Sequence, residues 1–316
     1  MATKAIGADR LLSLLEYYWL RPETAMWRAL DCNVLTGFEF QSPILDLGCG
    51  DGAFSFLRAG GGYHPAQDAF SHVGELDKFF DGEDIYNHFD PLLDDPRVVR
   101  GASYRIDVGL DHKRALLHKA KSTGLYIRLV EADANKPLPL TSACFSTVFS
   151  NVVYWLSEYK LALSEIARIL KPEGKAYLHV PSETFRDYSF YYQHFVKTGD
   201  LKWKWLEQID RGRVENVKLC QSRDKWEADF RDSGLRVLSC QQYLSKLTLQ
   251  IWDIGLRPLS PVLIEMAGML SPEDRVTIKS KWVSVLYPFL QRLCAADAEK
   301  YCDSAPGFLL FELTKV

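Results

Sequence analysis

Ser42-Pro43-Ile44-Leu45-Asp46-Leu47-Gly48-Cys49-Gly50-Asp51-Gly52-Ala53-Phe54 is the stretch from which the rest of the chain can be read. Pro43 marks the start of a short apolar block, and a glycine follows at every second residue. A buried parallel strand has this composition, and a glycine cluster at its end makes a tight turn. Ala53 to Ala59 can then begin a helix, which Gly60-Gly61-Gly62 stops. The unit reads as strand, glycine loop, helix. Such a loop lets a ligand approach the backbone closely, with an anionic end at the helix N-terminus.

The dinucleotide fingerprint is Gly-x-Gly-x-x-Gly, whereas this loop is Gly-x-Gly-x-Gly flanked by Asp46 and Asp51. Two acids suit a pyrophosphate badly, because like charges in a partly dry site repel. They suit a ligand carrying an ammonium and a sulfonium, and S-adenosylmethionine has both. A glycine triplet alone is also what a plain turn would show, so the remainder of a nucleoside site has to follow downstream.

Composition narrows the setting. The chain has 316 residues, 47% apolar and 25% charged, as in an ordinary globular protein. Its net charge of -3 offers no footprint for a phosphate backbone, which argues against a nucleic-acid binder. Seven cysteines, an odd number without a CxxC pair, read as reduced thiols in a cytoplasmic protein and give no metal pattern. Neither a signal-peptide layout nor a membrane-length apolar run is expected.

Residues 8–34 read as a helical pair, part of a helical lid over residues 1–41. Its aromatic residues Tyr17, Tyr18, Trp19 and Trp27 either pack on the sheet or cover a bound adenosine or substrate. Residues 60–102 read as an irregular inserted loop, long enough to suggest function. His64, His72 and His88 with Asp68, Asp77 and Asp84 match no metal spacing and read as a polar loop. A strand then ends at Asp111, a helix follows to Ser122, and a third strand from Tyr126 ends in Glu131-Ala132-Asp133-Ala134. An acid closing the second strand is placed to accept from two ribose hydroxyls, and one closing the third to accept from an adenine amino group. The fourth strand, Cys144 to Ser150, leads into Asn151-Val152-Val153-Tyr154, and Ser157 is expected to cap the next helix. Lys171-Pro172-Glu173-Gly174 stops that helix, and the fifth strand is Lys175 to Pro181. This alternation implies an α/β, Rossmann-like, doubly wound sheet with ligands at the carboxyl ends of its strands.

The series Ile44 to Gly52, Val108 to Asp111, Glu131-Ala132-Asp133 and Glu165 to Gly174 resembles the motifs of class I S-adenosylmethionine-dependent methyltransferases, closest to the group that includes the quinone-biosynthesis enzymes. The match covers residues 42–181. The resemblance implies a seven-stranded sheet, mostly parallel with its last strand antiparallel, and S-adenosylmethionine as cofactor. It places Gly48 and Gly50 against the methionyl part, with Cys49 beside them and Asp46 towards the amino group. Asp111, with His112, would hold the ribose, Asp133 and Ala134 the adenine, and Asn151 would sit at the methionine end. Two departures stand out: Asp111 lies far beyond the loop, so Asp77 is a rival at nearer spacing, and Glu173 stands where a further glycine is common. Asp111 is preferred because a helix and then the strand ending in Asp133 follow it.

Beyond Pro181 the resemblance fades. Residues 182–234 carry many aromatic rings, among them Tyr188, Tyr191 and Tyr192, which together with Tyr154 are candidate substrate-binding residues or simply a closed cap. Candidate bases are Tyr154, Glu183, Tyr188 and His194, with His179 buried in its strand. Leu235 to Leu244 and Gly307 to Lys315 read as the last two strands within residues 235–316, separated by a helical cap over 246–306. That cap contains a helix opened by Ser271-Pro272-Glu273-Asp274, whose apolar stripe reads as core rather than a partner surface. The expected activity is methyl transfer to a small-molecule acceptor. The alternatives are a non-catalytic partner of the same fold and an NAD-dependent oxidoreductase. A nucleic-acid acceptor is disfavoured, since no Asn/Asp-Pro-Pro-aromatic motif follows the fourth strand.

Overall fold

The computed structural model describes residues 3–71, 97–205, 218–298 and 305–316. Asp77, His72, His88 and Asp84, and much of the 60–102 insert, lie outside the described residues.

The glycine-loop unit forms as read. Strand β1 (Ile44–Leu47) is buried throughout, and helix α3 (Ala53–Arg58) starts directly after Gly52. Two helices precede it, α1 (Thr3–Tyr17) and α2 (Pro22–Val34). The described part of the insert is not wholly irregular: β2 (Gly62–Tyr63) and β3 (Val98–Arg100) pair antiparallel and close its neck. The alternating section follows as β4 (Ile106–Asp111), α4 (Arg114–Ser122), β5 (Tyr126–Glu131), β6 (Phe145–Ser150), α5 (Tyr159–Ile169) and β7 (Leu170–Pro181). Short helix α6 (Glu183–Tyr188), helix α7 (Arg223–Asp232) and strand β8 (Leu235–Tyr243) come next. The cap contains α8 (Lys246–Gln250), α9 (Ser260–Gly268) and α10 (Pro272–Ala298), and β9 (Phe308–Lys315) ends the chain.

Seven strands form one sheet in the order β5-β4-β1-β6-β7-β9-β8. The pairs β5–β4, β4–β1, β1–β6 and β6–β7 are parallel, while β9 runs antiparallel to both β7 and β8. The chain first builds outward from β1 through β4 to β5, then crosses to β6 on the other side. The crevice at such a reversal, above the carboxyl ends of β1 and β6, is where doubly wound sheets take their ligands.

Two local expectations are corrected. Ser157 does not cap α5: the residue ahead of the helix is Glu158, and the Ser157 hydroxyl donates to Asn135 Oδ1 at 3.0 Å. The carbonyl of Asn135 also accepts from Glu158 N–H at 3.0 Å, so a loop residue from the end of β5 satisfies the helix start. Strand β7 begins earlier than Lys175, and its register with β6 jumps from Phe145/Leu170 to Thr147/Lys175. The surplus residues bulge, with Glu173 in the left-handed region at φ 62°, a cost to a residue with a Cβ that a glycine would avoid.

The N-terminal rings pack as core. Tyr17, Tyr18, Trp19 and Trp27 are all buried, and Trp27 meets Phe185, Trp252 and Phe308 edge-on. The serine start of α10 holds, since Ser271 Oγ accepts from Asp274 N–H at 3.1 Å. Its stripe divides: Leu290 and Leu293 are core, whereas Ile278, Val285 and Phe289 are exposed. No helix of the described residues is long and apolar enough to cross a membrane.

Candidate active site

The loop after β1 is pinned to the end of β4. Gly48 N–H and Cys49 N–H both donate to Leu110 O, at 2.8 and 3.0 Å. One residue on, Gly50 N–H donates to Asp111 Oδ2 at 3.0 Å, while Asp111 Oδ1 accepts from Lys113 N–H at 2.9 Å. Asp111 therefore lies against the loop although 61 residues separate it from Gly50. Each carboxylate oxygen keeps a further lone pair, so the group can still accept from a diol. His112 is exposed beside it, with Nδ1 3.5 Å from Oδ1.

The two inner glycines do different work. Gly48 has φ 80°, and a Cβ there would stand 2.1 Å from Val152 Cγ2, so the close neighbour it admits is protein. Gly50 has φ 55° and nothing within 4 Å of an added Cβ. The open approach of the loop is at Gly50.

Around the loop stand three carboxylates. Asp46 is buried, and its Oδ2 accepts from Ser55 Oγ at 2.6 Å and Tyr126 OH at 2.7 Å. It thereby ties β1 to α3 and β5. Burial raises its pKa, only partly offset by those two donors. Asp51 Oδ1 accepts from Ala53 N–H, and its Oδ2 receives Tyr17 OH at 3.2 Å and lies 3.8 Å from Lys119 Nζ. Burial and these acids push the Cys49 thiol far above its usual range, leaving it protonated. These carboxylates suit a cationic ligand and oppose a pyrophosphate.

Asp133 follows the neighbouring strand β5, one residue beyond Ala132, whose N–H donates to Asp111 O at 3.0 Å. Its Oδ1 accepts from the backbone and side chain of Asn135, and that backbone donor foremost holds the carboxylate below its usual range. Ala134 is buried beside it. Across the crevice Asn151 is buried at the end of β6, where Ser150 Oγ donates to Leu47 O at 2.9 Å. The strand ends thus bring Asp46, Gly48, Cys49, Gly50, Asp111, His112, Asp133, Ala134 and Asn151 to one end of the sheet.

The acceptor-side candidates are distributed otherwise. Tyr154 is buried edge-on to Phe308 at 5.4 Å, and burial drives its phenol far above 10, so it remains a hydrogen-bond donor at neutral pH and not a base. Glu183 is exposed in the first turn of α6. Tyr188 OH donates to Ala305 O at 2.8 Å, Tyr191 stacks obliquely on Phe195, and Arg186 lies over the Tyr192 ring. His194 sits between the Phe190 and Trp203 rings, 5.0 and 4.9 Å away. These contacts are with one another and with the cap. Of the histidine–aspartate group in the insert, His64 Nδ1 accepts from Ala66 N–H, while Asp68 takes Trp19 Nε1–H and a bidentate Arg275.

Sequence reasoning missed Lys119 and the contact of Tyr17, which reach Asp51 from α4 and α1, and a buried polar chain joining α2, β7 and β8. In that chain Arg28 and Tyr243 both donate to Asp31, at 3.0 and 2.7 Å, and His179 Nδ1 is 2.7 Å from the Tyr243 hydroxyl. The only local hint was a lysine on the otherwise apolar face of α4 and polar residues within strands β7 and β8.

Residues 97–178 match the sequence profile of the methyltransferase domain family. No curated protein sequence matches the chain significantly. Among solved structures, the cyclase SpnF is 15% identical, with 93% of this chain and 82% of that one covered at TM-score 0.43. A chain from the complex between the Haloferax volcanii Trm112 methyltransferase activator and a methyltransferase is 17% identical, covering 99% and 97% at TM-score 0.44. An S-adenosylmethionine-dependent methyltransferase from Mesorhizobium loti is 17% identical, covering 91% and 96% at TM-score 0.44. Residues 97–178 thus carry the sequence of a methyltransferase domain, set in a seven-stranded sheet with an acid-flanked glycine loop at the reversal of its strand order.

Proposed function

We propose that the chain methylates a small-molecule acceptor held between the glycine loop, the segment after β6 and the helical cap. The observation that carries the reading is the Gly50–Asp111 contact, which joins the loop and the ribose-side acid into one cradle. Asp111 would accept from the ribose, Asp133 and Ala134 would border the adenine, and Asn151 would face the methionyl end. Asp46 is better suited to holding the loop than to direct contact, since its Oδ2 is already shared by Ser55 and Tyr126. The acidic net charge and the dense aromatic packing of residues 185–205 favour a small acceptor over nucleic acid.

S-adenosylmethionine, when bound, supplies an electrophilic methyl on a sulfonium. The displacement leaves little charge to stabilise, so the chain acts mainly by positioning and by excluding water. Buried Tyr154 can donate a hydrogen bond to an acceptor but cannot take its proton at neutral pH.

Calorimetry with S-adenosylhomocysteine tests the cradle: wild type should bind, and Asp111→Ala should weaken binding about 10- to 100-fold for lost charge-assisted bonds. Unaltered binding in Asp111→Ala, or none in wild type, would overturn it. Transfer of labelled methyl to small acceptors then tests the acceptor class, and labelling only of protein or nucleic acid would defeat that half.

A further inference from the structure

Arg28 sits on α2 with its guanidinium 5.3 Å from the ring centre of Phe54, in the first turn of the helix that follows the glycine loop. Tyr18 and Tyr154 are its other close electrostatic neighbours, the latter two residues beyond the Val152 that packs on Gly48. The side chain therefore spans from α3 to the segment after β6, which is the place where the strand order reverses.

Its position is set by a dry chain of hydrogen bonds. Arg28 Nη1 donates to Asp31 Oδ2, and Tyr243 OH donates to Asp31 Oδ1. The one hydroxyl proton of Tyr243 goes to the carboxylate, so His179 must donate from Nδ1 to the phenol oxygen. His179 Nε2 is then the bare nitrogen, buried and without a hydrogen-bond partner among the described residues. Neutralising Asp31 would explain one of the five guanidinium N–H groups. The others find no protein acceptor among the described residues, and while the Asp31 side chain is 1% exposed, that of Arg28 is 22% exposed. A guanidinium held from behind, with unused donors over a ligand crevice, suits bidentate recognition of a carboxylate. Asp46, Asp51 and Asp111 stand around Cys49 in the loop and repel such a group, so Arg28 would fix which way round a ligand with both charges can lie.

We propose that Arg28 anchors a ligand carboxylate over the β1/β6 crevice, either that of the cosubstrate's methionyl group or one on the methyl acceptor. The assignment rests on the methyltransferase reading above.

The two sources separate by calorimetry. S-adenosylhomocysteine carries the carboxylate and 5′-methylthioadenosine lacks it. If the cosubstrate is held, Arg28→Met weakens the first about 10- to 100-fold and leaves the second unchanged, with Arg28→Lys recovering only part. If the acceptor is held, both nucleosides bind as before, but benzoate, used as a carboxylate probe on the nucleoside-saturated chain, binds wild type and not Arg28→Met. Nucleosides and benzoate behaving alike in wild type and variant would overturn the proposal, as would an absence of benzoate binding together with unchanged nucleosides. Should Arg28→Met fail to fold because Asp31 is left unpaired, Arg28→Met with Asp31→Asn removes both charges and reads the same way. A wild-type chain that binds neither nucleoside defeats the methyltransferase reading instead, and benzoate binding to the free chain then still tests Arg28.

Discussion

Two glycines two residues apart have distinct fates on substitution. Gly48→Ala combines a left-handed φ with a 2.1 Å approach to Val152, so it should cost about 2–4 kcal/mol of stability. Val152→Ala added to it should return part of that. Gly50→Ala meets no atom and carries the φ penalty alone, about 1–2 kcal/mol, yet should lose most cosubstrate affinity because its Cβ enters the open approach. Urea melts beside calorimetry check the pair, and equal stability losses would contradict it. His179 is a second residue-scale case. Burial, chiefly, lowers its pKa from 6.5 to about 4. A folded value below the unfolded one means that protons favour the unfolded chain. The stabilising contribution is complete above pH 6.5 and fades as pH falls towards 4, by about 3 kcal/mol in all. Melts across that range should therefore be flatter in His179→Gln than in wild type; parallel profiles would show that the imidazole is not dry.

At the scale of elements, the cap helix α10 is fastened to the start of the insert and to the N-terminal pair. Arg275 makes a bidentate contact with Asp68 at 2.9 and 3.0 Å, and Asp68 also accepts from Trp19 Nε1 at 2.8 Å. One turn on, Lys279 Nζ donates to the carbonyls of Pro65 and Gln67, and Trp282 Nε1 donates to Trp19 O. Ala69 N–H donates to Tyr17 O, and Tyr17 OH reaches Asp51, so the fastening continues into the glycine loop. Arg275→Ala leaves buried Asp68 without its cation and should cost about 3–5 kcal/mol. The pair Arg275→Ala with Asp68→Asn should cost less than the sum of the single changes, and a double-mutant cycle that adds without coupling would refute the link.

For the whole molecule, ligand binding and folding are linked. S-adenosylhomocysteine at about one hundred times its Kd should stabilise the chain by about 2.7 kcal/mol, seen as a rise of a few degrees in melting temperature. NAD at the same concentration should give none, because the three acids at the loop oppose a pyrophosphate. A larger shift with NAD would return the oxidoreductase alternative. Such coupling is expected of a sheet whose two sides meet only at β1: the parallel pairs β1–β4 and β1–β6 flank the crevice, and a ligand there bridges both.

Much of this architecture was written locally. The apolar block from Ile44, the glycines at Gly48 and Gly50 and the acids closing β4 and β5 follow from strand period and turn chemistry, which act over a few neighbouring residues. Those cues located each strand of the sheet, though not the early start of β7, and they misjudged Ser157 because its competitor, Asn135, comes from another loop. What sequence spacing could not disclose is which polar side chains meet inside. Tyr243 reaches Asp31 across 212 positions, Arg275 reaches Asp68 across 207, and Arg28 lies over Phe54 only because α2 packs across the start of α3. A buried charge needs a partner from whichever element the packing brings near, and that choice belongs to the tertiary structure alone.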